Sequence, residues 1–180
     1  MAIAEALKKL KDDEITLITS PAEELLKNDI KVIKKLSRNH KGVYVTINQP
    51  YVALKRILEK KKVNLDNIFF IDMISSTVSA EPERTKQCLF INSPTSLTEL
   101  GIAIEQLINS IKENKKFIFF DNLSAFLIYN ELNVLSEFSH FIINKMRVNE
   151  VAGVIMSVEE EMGKELLDTI SSFCDNVIKF

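Results

Sequence analysis

The sequence has little glycine, and its four glycines are scattered at positions 42, 101, 153 and 163. A loop that wraps successive backbone N–H groups around a phosphate needs several glycines within a few residues of one another. The scattering therefore excludes a glycine-rich phosphate loop in this sequence. It also excludes the phosphate cradle that nucleotide-hydrolysing domains of the P-loop type use.

Cysteine and histidine are equally scarce, with two of each. Cys88 and Cys174 lack metal-ligand spacing, and each lies in or beside an apolar run typical of a strand. We expect buried free thiols in a reducing compartment, and therefore a cytoplasmic location. His40 and His140 have no cysteine, carboxylate or second histidine at ligand spacing, so no zinc site is predicted.

The sequence also has no large excess of positive or negative charge and no long apolar run. The formal net charge is −2, there is no tryptophan, and the lysine clusters fall on predicted helix faces. These features argue against nucleic acid and anionic membranes as partners. No run approaches the roughly 20 apolar residues of a membrane span. Residues 1–13 have apolar side chains at helical spacing, which predicts a helix and not a signal peptide.

The sequence does have a regular alternation of short apolar runs with longer amphipathic stretches, which is typical of a parallel sheet covered on both faces. We predict a single α/β domain over 1–180, with an N-terminal helix at 1–13 and a three-layer αβα core at 14–180. Its mostly parallel sheet has about seven strands, predicted at 15–19, 43–47, 68–74, 88–92, 117–121, 153–158 and 176–180. Helices are predicted near 22–39, 50–62, 95–113, 131–148 and 160–172. The irregular stretch at 75–87 predicts a mobile loop.

Polar residues follow several predicted strands, at the edge where ligands bind to an open parallel sheet. The candidate ligand-binding residues are Ser20, Asn48, Asp72, Asp121, Asn122 and Ser157. Turns and helix caps also select Ser, Asp and Asn for local hydrogen bonds, so the set predicts either a site or a series of structural turns. No catalytic residue or metal centre is predicted, and Asp121 is the one candidate if a metal is bound.

Three strand segments carry a resemblance to a known family. Residues 43–47 read Val-Tyr-Val-Thr-Ile, residues 68–72 read Ile-Phe-Phe-Ile-Asp, and residues 117–124 read Phe-Ile-Phe-Phe-Asp-Asn-Leu-Ser. With the order of elements, they resemble the RecA/KaiC-like P-loop ATPases over residues 14–180, and more narrowly an archaeal branch that lacks the phosphate loop. The resemblance implies a RecA-like sheet, side-by-side assembly and a magnesium-side position for Asp121.

Two departures from that family bear on function. Where the family has Gly, four residues, then Gly-Lys-Ser/Thr, residues 20–27 read Ser-Pro-Ala-Glu-Glu-Leu-Leu-Lys. Ser20 and Glu23 have the spacing of a capping box, which predicts that the following helix satisfies its own N-terminal donors. Glu23 and Glu24 also place negative charge where a phosphate would bind. Residues 48–49 read Asn-Gln where the resemblance implies a carboxylate pair, and an amide does not accept a proton at neutral pH.

We therefore expect a non-hydrolysing binding or scaffold module without a cofactor, which associates with itself or with an active RecA/KaiC-like relative. One alternative keeps ATP and magnesium in a non-standard site around Asp121, Asp72 and the 75–87 loop. A second alternative is a receiver-like signalling domain in which Asp72 accepts a phosphoryl group. The acidic pair available for that role, Asp12 and Asp13, precedes the first strand and is expected at the opposite edge of the sheet.

Overall fold

A computed structural model of the chain describes residues 7–8, 10–79 and 85–180. The greater part of the predicted helix over 1–13 and the centre of the predicted loop over 75–87 fall outside these ranges. Within them, no helix has both the length and the apolar character needed to cross a membrane.

Seven strands form one sheet, and every strand pairing in the described residues is parallel. Across the sheet the order is β4-β3-β2-β5-β6-β1-β7. Each strand overlaps one of the predicted apolar runs, so the predicted sheet is confirmed. The strands are β1 (Ile15–Ser20), β2 (Lys41–Thr46), β3 (Ile68–Asp72), β4 (Cys88–Phe90), β5 (Lys116–Phe120), β6 (Ala152–Val158) and β7 (Asn176–Lys179).

The helices alternate with these strands. In the described part of the chain they are α1 (Leu25–Asn39), α2 (Tyr51–Lys60), α3 (Ser75–Val78), α4 (Leu97–Ser110), α5 (Leu132–Val148) and α6 (Glu159–Phe173). Short 3-10 helices lie at Ala22–Glu24, Leu65–Asn67 and Ser124–Ile128. The sequence did not predict α3 or the 3-10 helix Ser124–Ile128. The prediction of a loop from residue 75 onward is therefore wrong for its first four residues, which form α3.

The three layers follow from the alternation of side chains along the strands. Tyr44 packs in the core between the sheet and helices α1 and α2, whereas its neighbours Val43 and Val45 pack on the opposite side with α4, α5 and α6. The central strands are apolar on both faces for this reason, which is why they read as continuous apolar runs. The predicted three-layer αβα architecture is confirmed.

Two glycines mark places where neighbouring elements approach one another closely. A Cβ atom built at Gly42 would lie 2.1 Å from the carbonyl oxygen of Phe117 on the neighbouring strand β5. At Gly153 it would lie 2.5 Å from the sulfur of Met146 on α5. Both positions lack a side chain because the space for one is already filled.

The strand order opens a crevice at the carboxyl ends of β2 and β5. Strand β2 leads through α2 to β3, whereas its neighbour β5 leads through α5 to β6 on the other face of the sheet. Where the connections of adjacent strands diverge in this way, an open α/β sheet forms its ligand-binding crevice. Helix α1 runs from β1 back to β2 and packs across β6, so it borders the crevice on one face.

Candidate functional site

A cavity of about 240 Å³ lies at this crevice. Its apolar wall includes Leu25 and Leu26 from the start of α1, together with Tyr44 from β2. Its polar lining comes from α1, the turn after β2, the turn after β5, and the start of α6. These polar residues are Asp29, Asn48, Gln49, Asp121, Asn122 and Glu161. The cavity therefore brings together Asn48, Asp121 and Asn122 from the predicted set.

Asp121 is the most constrained residue of the cavity. Its side chain is 2% exposed, and it accepts hydrogen bonds from Thr46 Oγ1 at 2.7 Å and from the backbone N–H of Ile47 at 3.1 Å. Burial raises the pKa of this carboxyl to about 7, although the Thr46 and Ile47 donors act in the opposite direction. Asp121 thus braces the end of the neighbouring strand β2, and close to neutral pH it is only partly ionised.

Asp29 is a second buried carboxyl, contributed by helix α1. It is 2% exposed, and its Oδ1 atom has no hydrogen-bond partner among the residues that the structure describes. Burial, and then the charge of Asp121, raise the pKa of Asp29 well above its ordinary value. The sequence reasoning missed this residue, although a signal exists. Asp29 lies one helical turn from both Leu25 and Val32, inside the apolar stripe that packs α1 on the sheet.

A hydrogen-bond network connects the two polar turns of the cavity. Asn122 Nδ2 donates to Asn48 Oδ1 at 3.1 Å, and Ser124 Oγ lies 2.6 Å from Asn122 Oδ1 and 2.9 Å from Glu161 Oε2. The backbone N–H of Val158 in turn donates to Ser124 Oγ at 3.3 Å. Asn48, which takes the place of a general base in the resemblance, is therefore held by another amide.

The segment after β1 does not form the predicted capping box. Neither the 3-10 helix Ala22–Glu24 nor α1 has a side-chain hydrogen bond at its N-cap, so the pairing of Ser20 with Glu23 is a wrong prediction. Ser20 Oγ instead accepts a hydrogen bond from Asn28 Nδ2 at 2.9 Å, and the backbone N–H of Glu24 donates to the Pro21 carbonyl at 3.0 Å. Ser20, at the end of β1, thus bonds to Asn28 of α1 and does not line the cavity.

Asp72 serves as a structural cap at the end of β3. Its carboxylate accepts the backbone N–H groups of Tyr51 at 2.7 Å and of Ile74 and Ser75 at 2.8 Å each, and also the Ser75 hydroxyl at 2.5 Å. These donors belong to the first turns of α2 and α3, which explains why α3 forms where a loop was predicted. Asp72 does not line the cavity, and its oxygens are already satisfied, so a joint site with Asp121 is disfavoured.

Two further predicted features lie away from the cavity. Ser157 is fully buried in β6 beside Thr19 of β1, and neither hydroxyl has a partner among the described residues. Asp12 bonds to His40 at 2.8 Å and to Lys115 at 2.6 Å, which precede β2 and β5. It therefore lies at the amino ends of these strands, whereas Asp72 ends β3 at its carboxyl end.

The cysteines stand as free thiols. Cys88 is buried, and Cys174 is half-buried. Burial raises the pKa of both thiols, that of Cys174 to about 12, so they are protonated and unreactive at neutral pH.

The chemistry of the cavity does not fit a nucleoside triphosphate with its magnesium. A phosphate group is held by backbone N–H groups, helix N-termini and cationic side chains. Of the described residues, those that line the cavity include three carboxylates and no lysine, arginine or histidine. No group of three or more His, Cys, Asp or Glu residues in the described ranges is arranged to hold a metal ion. Among the described residues, the polar side chains of the lining are thus carboxylates and amides, without a cationic group.

Among solved structures, the chain is similar to a KaiC-like protein from the hyperthermophilic archaeon Pyrococcus horikoshii, with a TM-score of 0.69. The similarity covers 94% of this chain and 72% of that protein, at 12% sequence identity. At this identity the likeness shows the fold alone, which is RecA/KaiC-like, as the strand segments implied. No curated protein matches the sequence.

The match to a family model extends from within α1 to the last residue. It covers residues 33–180 and thus all of the sheet except β1. On this evidence the chain belongs to DUF7504, a family of unknown function.

Proposed function

We propose that the chain is a non-hydrolysing binding module built on the RecA/KaiC-like fold, which acts by holding a ligand or partner and not by turning over ATP. The observation that carries this proposal is the acidic cavity at the ends of β2 and β5. Asp29 and Asp121 are both buried there and both face the same 240 Å³ space. A triphosphate entering this space would meet negative charge, or protonated acids, in place of cations.

The residues at the positions of the catalytic parts support the same conclusion. Leu26, which stands at the phosphate-binding lysine of the resemblance, lines the cavity with an apolar side chain. Lys27 follows it but is exposed and pairs with Glu24 at 2.7 Å. Asn48, at the general-base position, is an amide bonded to Asn122. At these positions of the resemblance, no residue supplies the charge stabilisation or the proton abstraction that phosphoryl transfer needs from the protein.

The cavity favours a ligand group that donates hydrogen bonds or carries positive charge. Asp29 Oδ1 has no partner among the described residues, and a buried carboxyl without a partner is costly. An ammonium or guanidinium group would supply the missing donors and neutralise the ionised form. We propose that such a cationic group is the chemical class of ligand that this cavity selects.

Thermal unfolding of the full chain tests both parts of the proposal. Magnesium-ATP at millimolar concentration is expected to leave the melting temperature unchanged, and no phosphate release is expected. Methylguanidinium is expected to raise the melting temperature of the wild type by a few degrees, because a ligand that binds only the folded state stabilises it by mass action. The matched control is Asp29→Asn, which keeps the shape of the side chain and removes its charge, and which is expected to abolish that rise.

Either of two results would overturn the proposal. A rise of several degrees with magnesium-ATP, or release of phosphate above the rate in buffer, would show that the cavity accepts a triphosphate. An equal response of the wild type and the Asp29→Asn variant to methylguanidinium would show that the cation does not bind in the cavity.

We also propose that the chain associates with a second copy of itself or with a RecA/KaiC-like relative. A binding module without chemistry of its own acts through the assembly it forms. The apolar side chains exposed on the outer helices, Ile102, Val134, Phe141 and Val148 among them, support this proposal. Light scattering on the purified chain gives its mass and separates a monomer from an assembly.

A further inference from the structure

Helix α5 carries an exposed apolar stripe on its outer side. Val134 is 45% exposed, Phe141 48% and Val148 83%. Successive members are seven residues apart, which is close to two full helical turns, so all three lie along one face. We call these three residues the α5 stripe. Ile102 of α4, which is also exposed, lines a groove beside Val134 and Phe141.

The surface around Phe141 is concave on both sides. A groove of about 410 Å³ between α4 and α5 includes Gly101, Ile102 and Phe141 in its lining. A second groove, of about 520 Å³, is lined by Phe141 and Val148 among others. Gly101 contributes to this shape, because a Cβ atom there would lie 3.2 Å from the Phe141 ring. Phe141 therefore stands as a ridge between two hollows, a form that fits a similar ridge from a partner.

The charges on the stripe are arranged symmetrically about Phe141. Glu137 lies one turn before it, and Lys145 lies one turn after it. A two-fold axis that passes between Phe141 and its equivalent in an antiparallel copy of α5 places Val134 opposite Val148 of the second copy. The same axis places Glu137 opposite Lys145, so each copy meets the other with unlike charges.

Intramolecular contacts hold Lys145 on this surface. Its Nζ atom pairs with Glu105 Oε1 of α4 at 3.0 Å and lies 5.8 Å from the centre of the Phe141 ring. A lysine already oriented in this way loses less side-chain entropy when a second carboxylate approaches. Glu137, for its part, is exposed and forms no salt bridge in the described structure. Glu137 is therefore free to pair with Lys145 of a second copy.

We infer that a second copy of this chain docks on the α5 stripe, with the two α5 helices antiparallel and Phe141 at the two-fold axis. The occupant is a second copy because the charges beside the stripe are self-complementary: in the antiparallel arrangement Glu137 of one copy lies at the level of Lys145 of the other. This inference rests on the self-association proposed above and identifies the surface that carries it. It is independent of the proposal for the cavity, which lies at the carboxyl edge of the sheet.

Charge exchange at low ionic strength tests the inference on the full chain. Sedimentation or light scattering over a range of concentrations is expected to show a dimer for the wild type. Glu137→Lys and Lys145→Glu are each expected to weaken dimerisation by about tenfold or more, because each places like charges opposite one another. The double variant is expected to dimerise more tightly than either single variant, since the pairs are then exchanged and unlike again. Recovery is expected to be partial, because the carboxylate introduced at position 145 lies beside Glu105 of the same chain. Glu59→Lys, an exposed change of equal charge on α2, is the matched control and is expected to have no effect.

Cysteine cross-linking gives a second measurement that does not depend on charge. Chains carrying Val134→Cys, mixed with chains carrying Val148→Cys, are expected to give a cross-linked heterodimer with a short thiol-specific reagent. Val52→Cys on α2, which is similarly exposed, is the control and is expected to give no such product.

The outcomes separate the surface from the proposed function. A wild-type dimer that single charge variants do not weaken, or that the double variant does not restore, overturns the α5 surface and leaves self-association standing. A wild type that stays monomeric overturns both the surface and self-association. Neither outcome bears on the proposal for the cavity. The melting-temperature response to magnesium-ATP and methylguanidinium can be measured whether the chain is a monomer or a dimer.

Discussion

Replacement of Asp121 by asparagine is expected to remove a pH-dependent loss of stability. Burial raises the pKa of this carboxyl to about 7 from an ordinary value of 3.8. Between these two values the folded protein holds a proton that the unfolded chain has released. The folded state therefore binds more protons than the unfolded state, and stability falls as pH rises from about 4 to about 7 and then levels off.

The size of the loss follows from the shift. The pKa rises by about three units, and each unit corresponds to about 1.4 kcal/mol, which gives roughly 4 kcal/mol in all. Asp121 is 2% exposed, so screening by solvent does little to reduce this figure. A loss of this size is a substantial part of the stability of an ordinary domain.

The asparagine variant keeps the hydrogen bonds of Asp121 with Thr46 and Ile47. Thr46 Oγ1 lies 2.9 Å from the Gln49 carbonyl as well as 2.7 Å from Asp121 Oδ2. When an amide nitrogen replaces Oδ2, it donates to Thr46 Oγ1, whose own hydrogen then points to Gln49. The remaining oxygen still accepts from the Ile47 N–H group. The substitution thus removes the ionisation and keeps the contacts with Thr46 and Ile47.

Urea unfolding of both proteins at several values between about pH 5 and about pH 8 measures the effect. The difference in the free energy of unfolding, variant minus wild type, is expected to increase by roughly 3 kcal/mol as pH rises across this range. Asp66→Asn, which removes an exposed carboxylate, is the control and is expected to show no such gain. A difference between Asp121→Asn and wild type that is constant, or that shrinks as pH rises, would refute the assignment of a buried, partly protonated Asp121.

Three further substitutions test individual contacts. Gly42→Ala is expected to lower the free energy of unfolding by about 3 kcal/mol in chemical unfolding, because its Cβ atom would meet the Phe117 carbonyl at 2.1 Å and the backbone there cannot move away. A change within about 0.5 kcal/mol would show that β2 and β5 are not so closely paired. Asp72→Ala is expected to lower the free energy of unfolding by about 3 kcal/mol or more, because it leaves buried N–H groups of α2 and α3 without an acceptor. The rate of hydrogen exchange is expected to rise most at Ser75, and an unchanged rate there would contradict the capping role. Asp29→Asn is expected to raise the melting temperature at neutral pH. Burial disfavours the ionised carboxyl, and its raised pKa makes the stability of the wild type fall with rising pH. A lower melting temperature would instead indicate a partner for the charged form of Asp29.

The strands were predictable because of how they are buried. A strand covered on both faces has to be apolar throughout, and residues 117–121 show this with four apolar residues before Asp121. The same logic placed Asn48, Asp121 and Asn122 at one edge of the sheet, and the structure brings all three to one cavity. These features depend on patterns that recur at short range along the chain.

The features that escaped prediction depend on packing between distant residues. Asp29 lines the cavity because α1 packs closely on the sheet. How deeply a helix packs is not visible in a local sequence pattern, although an aspartate inside an apolar stripe is a signal. The capping box failed because two demands compete at the start of α1. Leu25 is buried, and the 3-10 turn after Pro21 delivers it to the core, whereas Ser20 is used by Asn28. Tertiary burial outweighed the local capping preference.

The position of β1 in the sheet has a consequence for the synthesis of the protein. Its two neighbours are β6 and β7, so Ile15 pairs with Gly153 and Thr16 with Asn176. While a ribosome is making the chain, the first strand finds no partner until residues beyond 150 have emerged. Until then the apolar side chains of β1, Ile15, Leu17 and Ile18, and its unpaired backbone groups stay exposed, which favours aggregation of the nascent chain and slows its folding. We expect its yield in cells to depend on chaperones that shelter β1 during this interval.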